Sequence, residues 1–272
     1  MKNKSFLAHS VAAQKLLELA IANNYLYLGL AIMLAIHAYS GIKRKNDQDE
    51  VDHSIAIAWA LWSRGVTREE DLVKAILHDL VEAGKVTIEF IRERFNDEIA
   101  DDVDRLSKRP EEKIRQIDDA VLDEVFDFIF KYYYEMKTNW SCRVCLTKNR
   151  QKVLKMLPRT YKKAIGAYYQ RLAKSPICVV IKNYDKCDIF RNMSYSIPVR
   201  NQKLQVVEYE AFLALECKKI RKTEKKYLEI LFGGRNEIES LIENVLYHIF
   251  LKNKLVEKKN LIVELKSILD NK

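Results

Sequence analysis

His78, Asp79 and Glu82 are, with Lys74, the polar members of a stretch that is otherwise apolar, from Leu72 through Ile76 and Leu77 to Leu80 and Val81. On a helix, successive residues lie about 100° apart, so His78 and Asp79 can converge on one point while positions 78 and 82 share a face. A neutral imidazole and a carboxylate are both good ligands for a divalent metal. Two further residues can complete such a set. His53 lies 25 positions before His78, and Asp185 sits in Cys178-Val-Val-Ile-Lys-Asn-Tyr-Asp-Lys186, one helical turn after Lys182. A His–Asp pair alone is equally compatible with a hydrogen-bonded core histidine. The wider set offers more: one charged and one neutral ligand from the same element, closed by two distant residues. A divalent ion in such a site polarises phosphoryl oxygens and lowers the pKa of a coordinated water. Glu82 is then placed to act as general base or to hold that water in line.

The elements that must position these residues read as helices almost throughout, since apolar residues recur at helical spacing and alternating patterns are scarce. A long helix is expected from Val11 to Tyr39, and a second from about His53 towards Arg64–Gly65. Thr67-Arg-Glu-Glu70 reads as a capping box opening a third helix, with Gly84 in the left-handed position that ends it. Thr87 is expected to cap a helix over Ile88 to Phe95, and Pro110-Glu-Glu112 to open one that runs to Tyr134. Asn139 to Arg159 reads as an irregular insert. Helices resume over Tyr161 to Ala173 and Ile177 to Met193, and Pro198 closes the core. Leu204 to Leu231 and Glu237 to Leu269 read as two amphipathic helices. The expected organisation is therefore an all-α domain over residues 1–200, interrupted at 139–160, with a C-terminal helical extension over 201–272.

Charge is distributed unevenly along the chain. The formal net charge is +9, but Lys131 to Lys174 holds twelve Lys or Arg against one acid, Glu135, whereas Glu89 to Asp127 holds fourteen acids against seven bases. Such blocks point to an anionic ligand, a nucleic acid, contact between the two blocks, or a solvated surface. Tyr132, Tyr133, Tyr134, Tyr161, Tyr168 and Tyr169 interleave the basic block, as in single-strand nucleic-acid binders, though their helical spacing suits core packing at least as well. Five cysteines form no regular framework, and Cys142-x-x-Cys145 has no second pair to complete a zinc site, so it reads as a pair of loop thiols. The apolar run Tyr25 to Ala38 is too short for a bilayer, which needs roughly 20 residues. A cytoplasmic protein without membrane contact is expected.

Together the motifs read as H…HD…D, the ligand order of the HD superfamily, and the wider match is to one branch of it. Ala35 to His37, Arg44–Lys45, His53, Leu77-His78-Asp79-x-x-Glu82, Thr87, Ser107–Lys108 and Lys182-x-x-Asp185 resemble, in order, the pattern of the RelA/SpoT-type alarmone hydrolase domain. The resemblance covers roughly residues 15 to 200. It implies an HD-domain helical bundle with His53, His78, Asp79 and Asp185 around Mn²⁺ or another divalent ion. Arg44 and Lys45 would contact the guanine nucleotide, Lys182 would bind substrate or order the site beside Asp185, and His37 would be structural. The implied reaction is hydrolysis of the 3′-diphosphate of guanosine tetra- or pentaphosphate, releasing pyrophosphate, by a stand-alone enzyme.

Three departures from the family pattern stand beside these matches. Glu82 is followed by Ala83 where the family has a second acid, and the usual residues around the first metal histidine are replaced by Glu50-Val51-Asp52-His53-Ser54. Ile189 stands where an Asn is usual. Taking Asp188 as the last ligand instead recovers Asn192, at the cost of the Lys-x-x-Asp match. Two other functions stay open: a phosphohydrolase for another nucleotide or phosphoester, and a non-catalytic relative that binds nucleotide or nucleic acid. The C-terminal helices, with their apolar stripes and paired lysines, could support a homo-oligomer.

Overall fold

The computed structural model describes residues 11–44, 47–113, 117–138, 143–193, 197–216, 229–230, 233–234 and 237–249, without the side chains of 135–138, 143–146 and 216. Among the described residues are eleven α-helices, one 3-10 turn, a further helical stretch at 237–249, and no strand. The expected single helix over Val11 to Tyr39 is two, α1 (Val11–Ala22) and α2 (Leu26–Ala38). The break is a Schellman closure with asparagine in the position glycine usually takes. Asn24 adopts φ 55°, the Tyr25 amide donates to the Ala20 carbonyl at 2.8 Å, and the Asn24 amide donates to Ile21 at 3.3 Å.

α3 (Glu50–Trp62) starts three residues before the expected His53, helped by Glu50 and Asp52 in a first turn where the helix dipole favours acids. His53 therefore stands in the first turn of α3. α4 (Glu69–Leu77) follows, but the capping box expected from Thr67 and Glu70 does not form: Arg68 is the N-cap and makes no side-chain capping bond. Contacts with α2 win instead. The Thr67 carbonyl accepts from the Tyr25 hydroxyl at 2.6 Å, and the Glu69 carboxylate accepts from the Leu28 amide at 2.9 Å.

α4 also ends early, at Leu77, so His78, Asp79 and Glu82 lie in the turns that follow it rather than on a helix. Gly84 closes those turns at φ 65°, with the Lys85 amide bonded to the Leu80 carbonyl at 2.9 Å. Thr87 caps α5 (Ile88–Arg94) as expected, accepting from the Phe90 amide at 3.1 Å. Asn96 does the same for α6 (Asp97–Leu106).

Pro110 opens only the 3-10 turn Pro110–Glu112, not a long helix. Glu112 folds back on the Arg109 amide at 2.9 Å and pairs with Arg171, which fastens the turn. The long helix is α7 (Asp119–Thr138). The insert expected to be irregular contains α8 (Arg143–Met156), and Pro158 is the N-cap of α9 (Arg159–Leu172). Lys, Arg and Gln are good helix formers, and they mask the few apolar positions, such as Val153, that α8 buries. α10 (Pro176–Arg191) and α11 (Val199–Glu216) complete the named helices. Of the two expected C-terminal helices, residues 217–228, 231 and 250–269 lie outside the described residues, as do Lys45 and Cys142; Cys145 falls on α8 rather than in the expected loop, with its side chain undescribed. Within 237–249, Ile238, Ile242, Val245, Leu246 and Ile249 bury their stripe in this chain's own core.

Two packing units result. α4 contacts α2, α3 and α6, and α10 lies across α3 and α6; α11 packs against α7, α8 and α9. α9 joins the two, touching α6, α10 and the Pro110 turn as well as α11. The tyrosines of the basic block serve this packing: Tyr132, Tyr133, Tyr161, Tyr168 and Tyr169 are buried, and Tyr134 is exposed. The acidic and basic blocks do touch, through Arg171 and Glu112. No helix among the described residues is long and apolar enough to cross a membrane.

Candidate metal centre

α10 is buried around its whole circumference from Ile177 to Asp188. Its polar side chains therefore need partners inside the protein, because an unpaired buried polar group is costly. Asn183 bonds the Val179 carbonyl and the Tyr209 hydroxyl, both at 2.9 Å, and Lys186 reaches Gln205 at 2.9 Å and Glu208 at 3.4 Å. The remaining three, Lys182, Asp185 and Asp188, belong to one constellation with the first turn of α3 and the turn after α4.

His53 is at its centre, with both ring nitrogens facing carboxylates. Nδ1 lies 2.6 Å from Asp188 Oδ2, and Nε2 lies 3.1 Å from Asp185 Oδ1 and 3.6 Å from Asp79 Oδ2. Burial works to lower the pKa of this ring, but the bonds to Asp185 and Asp188 outweigh it and push the value up to about 9. The surrounding acids thus demand a positive charge at this point, carried by a proton or by a metal.

His78 makes the case for a metal more directly. Its Nδ1 lies 2.9 Å from the Ala75 carbonyl, which can only accept, so Nδ1 carries the hydrogen. A neutral ring oriented this way presents the Nε2 lone pair, and that nitrogen is buried without a hydrogen bond. It faces Asp79 Oδ2 at 3.1 Å, two electron-rich atoms that a cation between them would reconcile. Burial raises the Asp79 carboxyl, but positive charge at His78 and His53, from a proton or from a metal in its place, holds it well below the usual range.

His53, His78 and Asp185 each offer a ligand atom within 4.8 Å of the others, a buried group that could hold a metal ion. Asp79 borders it, and its side chain is 32% exposed, where the His78 side chain beside it is buried. The four expected ligands are therefore neighbours. Asp185 and Asp188 meet different nitrogens of the His53 ring: Asp185 faces Nε2, on the side of His78, and Asp188 faces Nδ1, on the far side.

The other expected site residues are placed differently. Lys182 is buried and ion-paired with Asp185, so it orders the site from within rather than reaching for a ligand in solvent. Arg44 lies 3.5 Å from Asp188. The Glu82 carboxylate accepts from the Lys108 amide at 3.0 Å and sits 3.5 Å from the Lys113 ammonium, so it ties the turn to the end of α6. It lines a pocket with Lys108, Lys113, Tyr161, Tyr168 and Glu208. His37 is exposed and apart from the group.

Sequence reasoning missed Tyr39 and Tyr168 as neighbours of this site. Both hydroxyls are driven well above the usual tyrosine range, first by burial and then by nearby charges that include Asp79 and Glu82. No local signal marks either residue. Comparison with protein-family models and with curated proteins finds no match for the chain.

Proposed function

We propose that this protein is a metal-dependent phosphohydrolase, with His53, His78, Asp79 and Asp185 as ligands and a phosphorylated guanine nucleotide as substrate. The supporting observation is the buried Nε2 of His78, which has no hydrogen bond and looks onto carboxylates and a second imidazole. A divalent ion held there, Mn²⁺ by the resemblance, would polarise a phosphoryl oxygen and supply an acidified water. The chain's own residues would do the rest. Lys182 keeps the Asp185 carboxylate ionised and aimed, and Asp79, at the exposed edge, meets the incoming phosphate first. Tyr39 and Tyr168 stay protonated and close the low-dielectric wall. The bond proposed to break joins the ribose 3′ oxygen to the diphosphate of guanosine tetraphosphate.

A second reading, hydrolysis of a different nucleotide or phosphoester, has its own support. Glu82 is engaged by Lys108 and Lys113, and Ala83 offers no carboxylate in its place. Incubating the purified chain and Mn²⁺ with a nucleotide panel that includes guanosine tetraphosphate and NADPH decides between them. Release of pyrophosphate from the former, abolished by His78→Ala and Asp79→Asn, is expected. No turnover of any member, or turnover that survives both substitutions, overturns the enzyme reading; turnover of another member alone selects the second.

A further inference from the structure

Two histidines turn Nε2 towards the centre, and each is held by an acceptor at Nδ1, but the acceptors differ in kind. For His78 it is the Ala75 carbonyl, fixed by the backbone. For His53 it is the buried carboxylate of Asp188, at 2.6 Å. We propose that Asp188 is a positioning residue that fixes the His53 ring for metal binding, and that Arg44 is recruited to this pair rather than left free for a nucleotide base. The inference rests on the metal reading above.

Each oxygen of Asp188 has its task. Oδ2 meets His53 Nδ1 and, at 3.5 Å, the Arg44 guanidinium; Oδ1 accepts from the Asn192 amide at 2.8 Å. A carboxylate has no hydrogen to give, so the proton between the two groups belongs to the ring, and Nδ1–H leaves Nε2 as the coordinating nitrogen. A carboxylate at that position also makes the imidazole a stronger donor to a cation. Asp188 stands three residues after Asp185 on α10, so one helix face supplies both the carboxylate beside Nε2 and the one that orients the ring.

Arg44 is carried to this pair by its own loop. Its amide donates to the Gln48 carbonyl at 2.8 Å, and its carbonyl accepts from Asp47 at 3.0 Å. A bridge between Lys43 and Asp49, with a 2.7 Å ion pair, closes the same loop. The turn passes through Asp47 at φ 63°. The result places a guanidinium only 20% exposed against a carboxylate only 7% exposed. Arg44 thereby pins the Asp188 carboxylate in the orientation that meets the His53 ring.

The test uses the full chain stripped with chelator and titrated with Mn²⁺ alone by calorimetry. Asp188→Ala is expected to bind roughly 10- to 100-fold more weakly than the wild type, the usual cost of losing a residue that supports a metal ligand. Asp188→Asn, which keeps an acceptor but not the charge, should fall between the two. ¹⁵N-labelled histidine should report one ring with Nδ1–H and a metal-bound Nε2 at position 53, a signature that a merely structural aspartate would not control. Wild-type affinity in Asp188→Ala, or His53 bound through Nδ1, overturns the proposal while leaving the metal reading intact. A wild type that takes up no Mn²⁺ sinks both. If Asp188→Ala does not fold, Asp188→Asn decides: weaker binding supports the proposal and unchanged binding overturns it. Arg44→Ala should weaken Mn²⁺ binding by a few-fold; unchanged metal affinity with a raised KM would return Arg44 to the substrate.

Discussion

Lys74 and His78 stand one helical turn apart at the end of α4, and each is the focus of a buried cluster of acids. Around Lys74 are Asp71 at 3.3 Å, Asp102 at 2.9 Å and Glu98 at 2.6 Å. Burial works against the charge on this ammonium, but the three carboxylates outweigh it and hold its pKa above the usual lysine value. The second cluster gathers Asp79, Asp185 and Asp188 around His53 and His78. In the first, three N–H donors of one ammonium meet three acceptors, and the cation is part of the sequence. In the second, Lys182 answers Asp185 and Arg44 answers Asp188, but Asp79 has no fixed cation unless a histidine takes a proton or a metal enters. A buried polar cluster that closes on itself is scaffold; one left short of positive charge is a place for a cation.

Removing the built-in cation tests the scaffold half of this contrast and should give the largest effect. Lys74→Met leaves Asp71 and Asp102, both almost wholly buried, without their shared ammonium. Breaking a buried pair from one side costs about 3–5 kcal/mol, and urea unfolding should show a loss of that size. Arg68 at 3.9 Å from Asp71 and Arg105 at 2.5 Å from Asp102 keep the loss from being larger. Whatever folded protein remains should still take up Mn²⁺. A loss under about 1 kcal/mol, the scale of an exposed pair, would remove the distinction between the two clusters.

His78→Ala tests the other half, with a smaller change in stability and a larger one in binding. With Mn²⁺ at about 100 times its dissociation constant, the wild type should gain roughly 2.7 kcal/mol of stability through binding to the native state alone. His78→Ala should gain nothing, because it removes the Nε2 that carries the metal argument, and Lys74→Met should gain as much as the wild type. A gain of equal size in His78→Ala would show that the ion binds elsewhere.

The His78–Asp79 pair was legible in the sequence because it interrupts an apolar run at helical spacing, whereas His53 and Asp185, which have polar neighbours, were picked out only by the order H…HD…D. The helical nature of the chain was legible from period alone. What the sequence hid was set by contacts between distant segments. The box expected from Thr67 and Glu70 gave way to contacts with α2, where Glu69 accepts from the Leu28 amide, which no local pattern encodes. Asn24 ended α1 between two apolar stretches, and the Asn23–Asn24 pair was the one local sign of the break. α8 was masked by its lysines and arginines, since few of its positions are apolar enough to mark the buried side. Glu82 matched its motif in spacing, yet the Lys108 amide holds its carboxylate. Asp188 was visible as a rival to Asp185, and only the two faces of the His53 ring separate their roles.

The smallest expected effect compares the loss of one neutral donor from each cluster. The Ser175 hydroxyl donates to Asp102 at 2.9 Å, and the Asn192 amide donates to Asp188 at 2.8 Å. Asp102 keeps Lys74 and Arg105 when Ser175 becomes Ala, so no buried charge is orphaned and the loss should be about 1 kcal/mol. Ser175 is also the N-cap of α10, but its side chain makes no capping bond, so the helix start adds nothing to that figure. Ser175→Ala should leave Mn²⁺ affinity unchanged. Asn192→Ala should do the reverse, moving stability little and weakening Mn²⁺ binding by a few-fold, because Asp188 acts on the metal through His53. If both substitutions change stability alone, Asp188 is scaffold like Asp102, and the two clusters differ in composition but not in role.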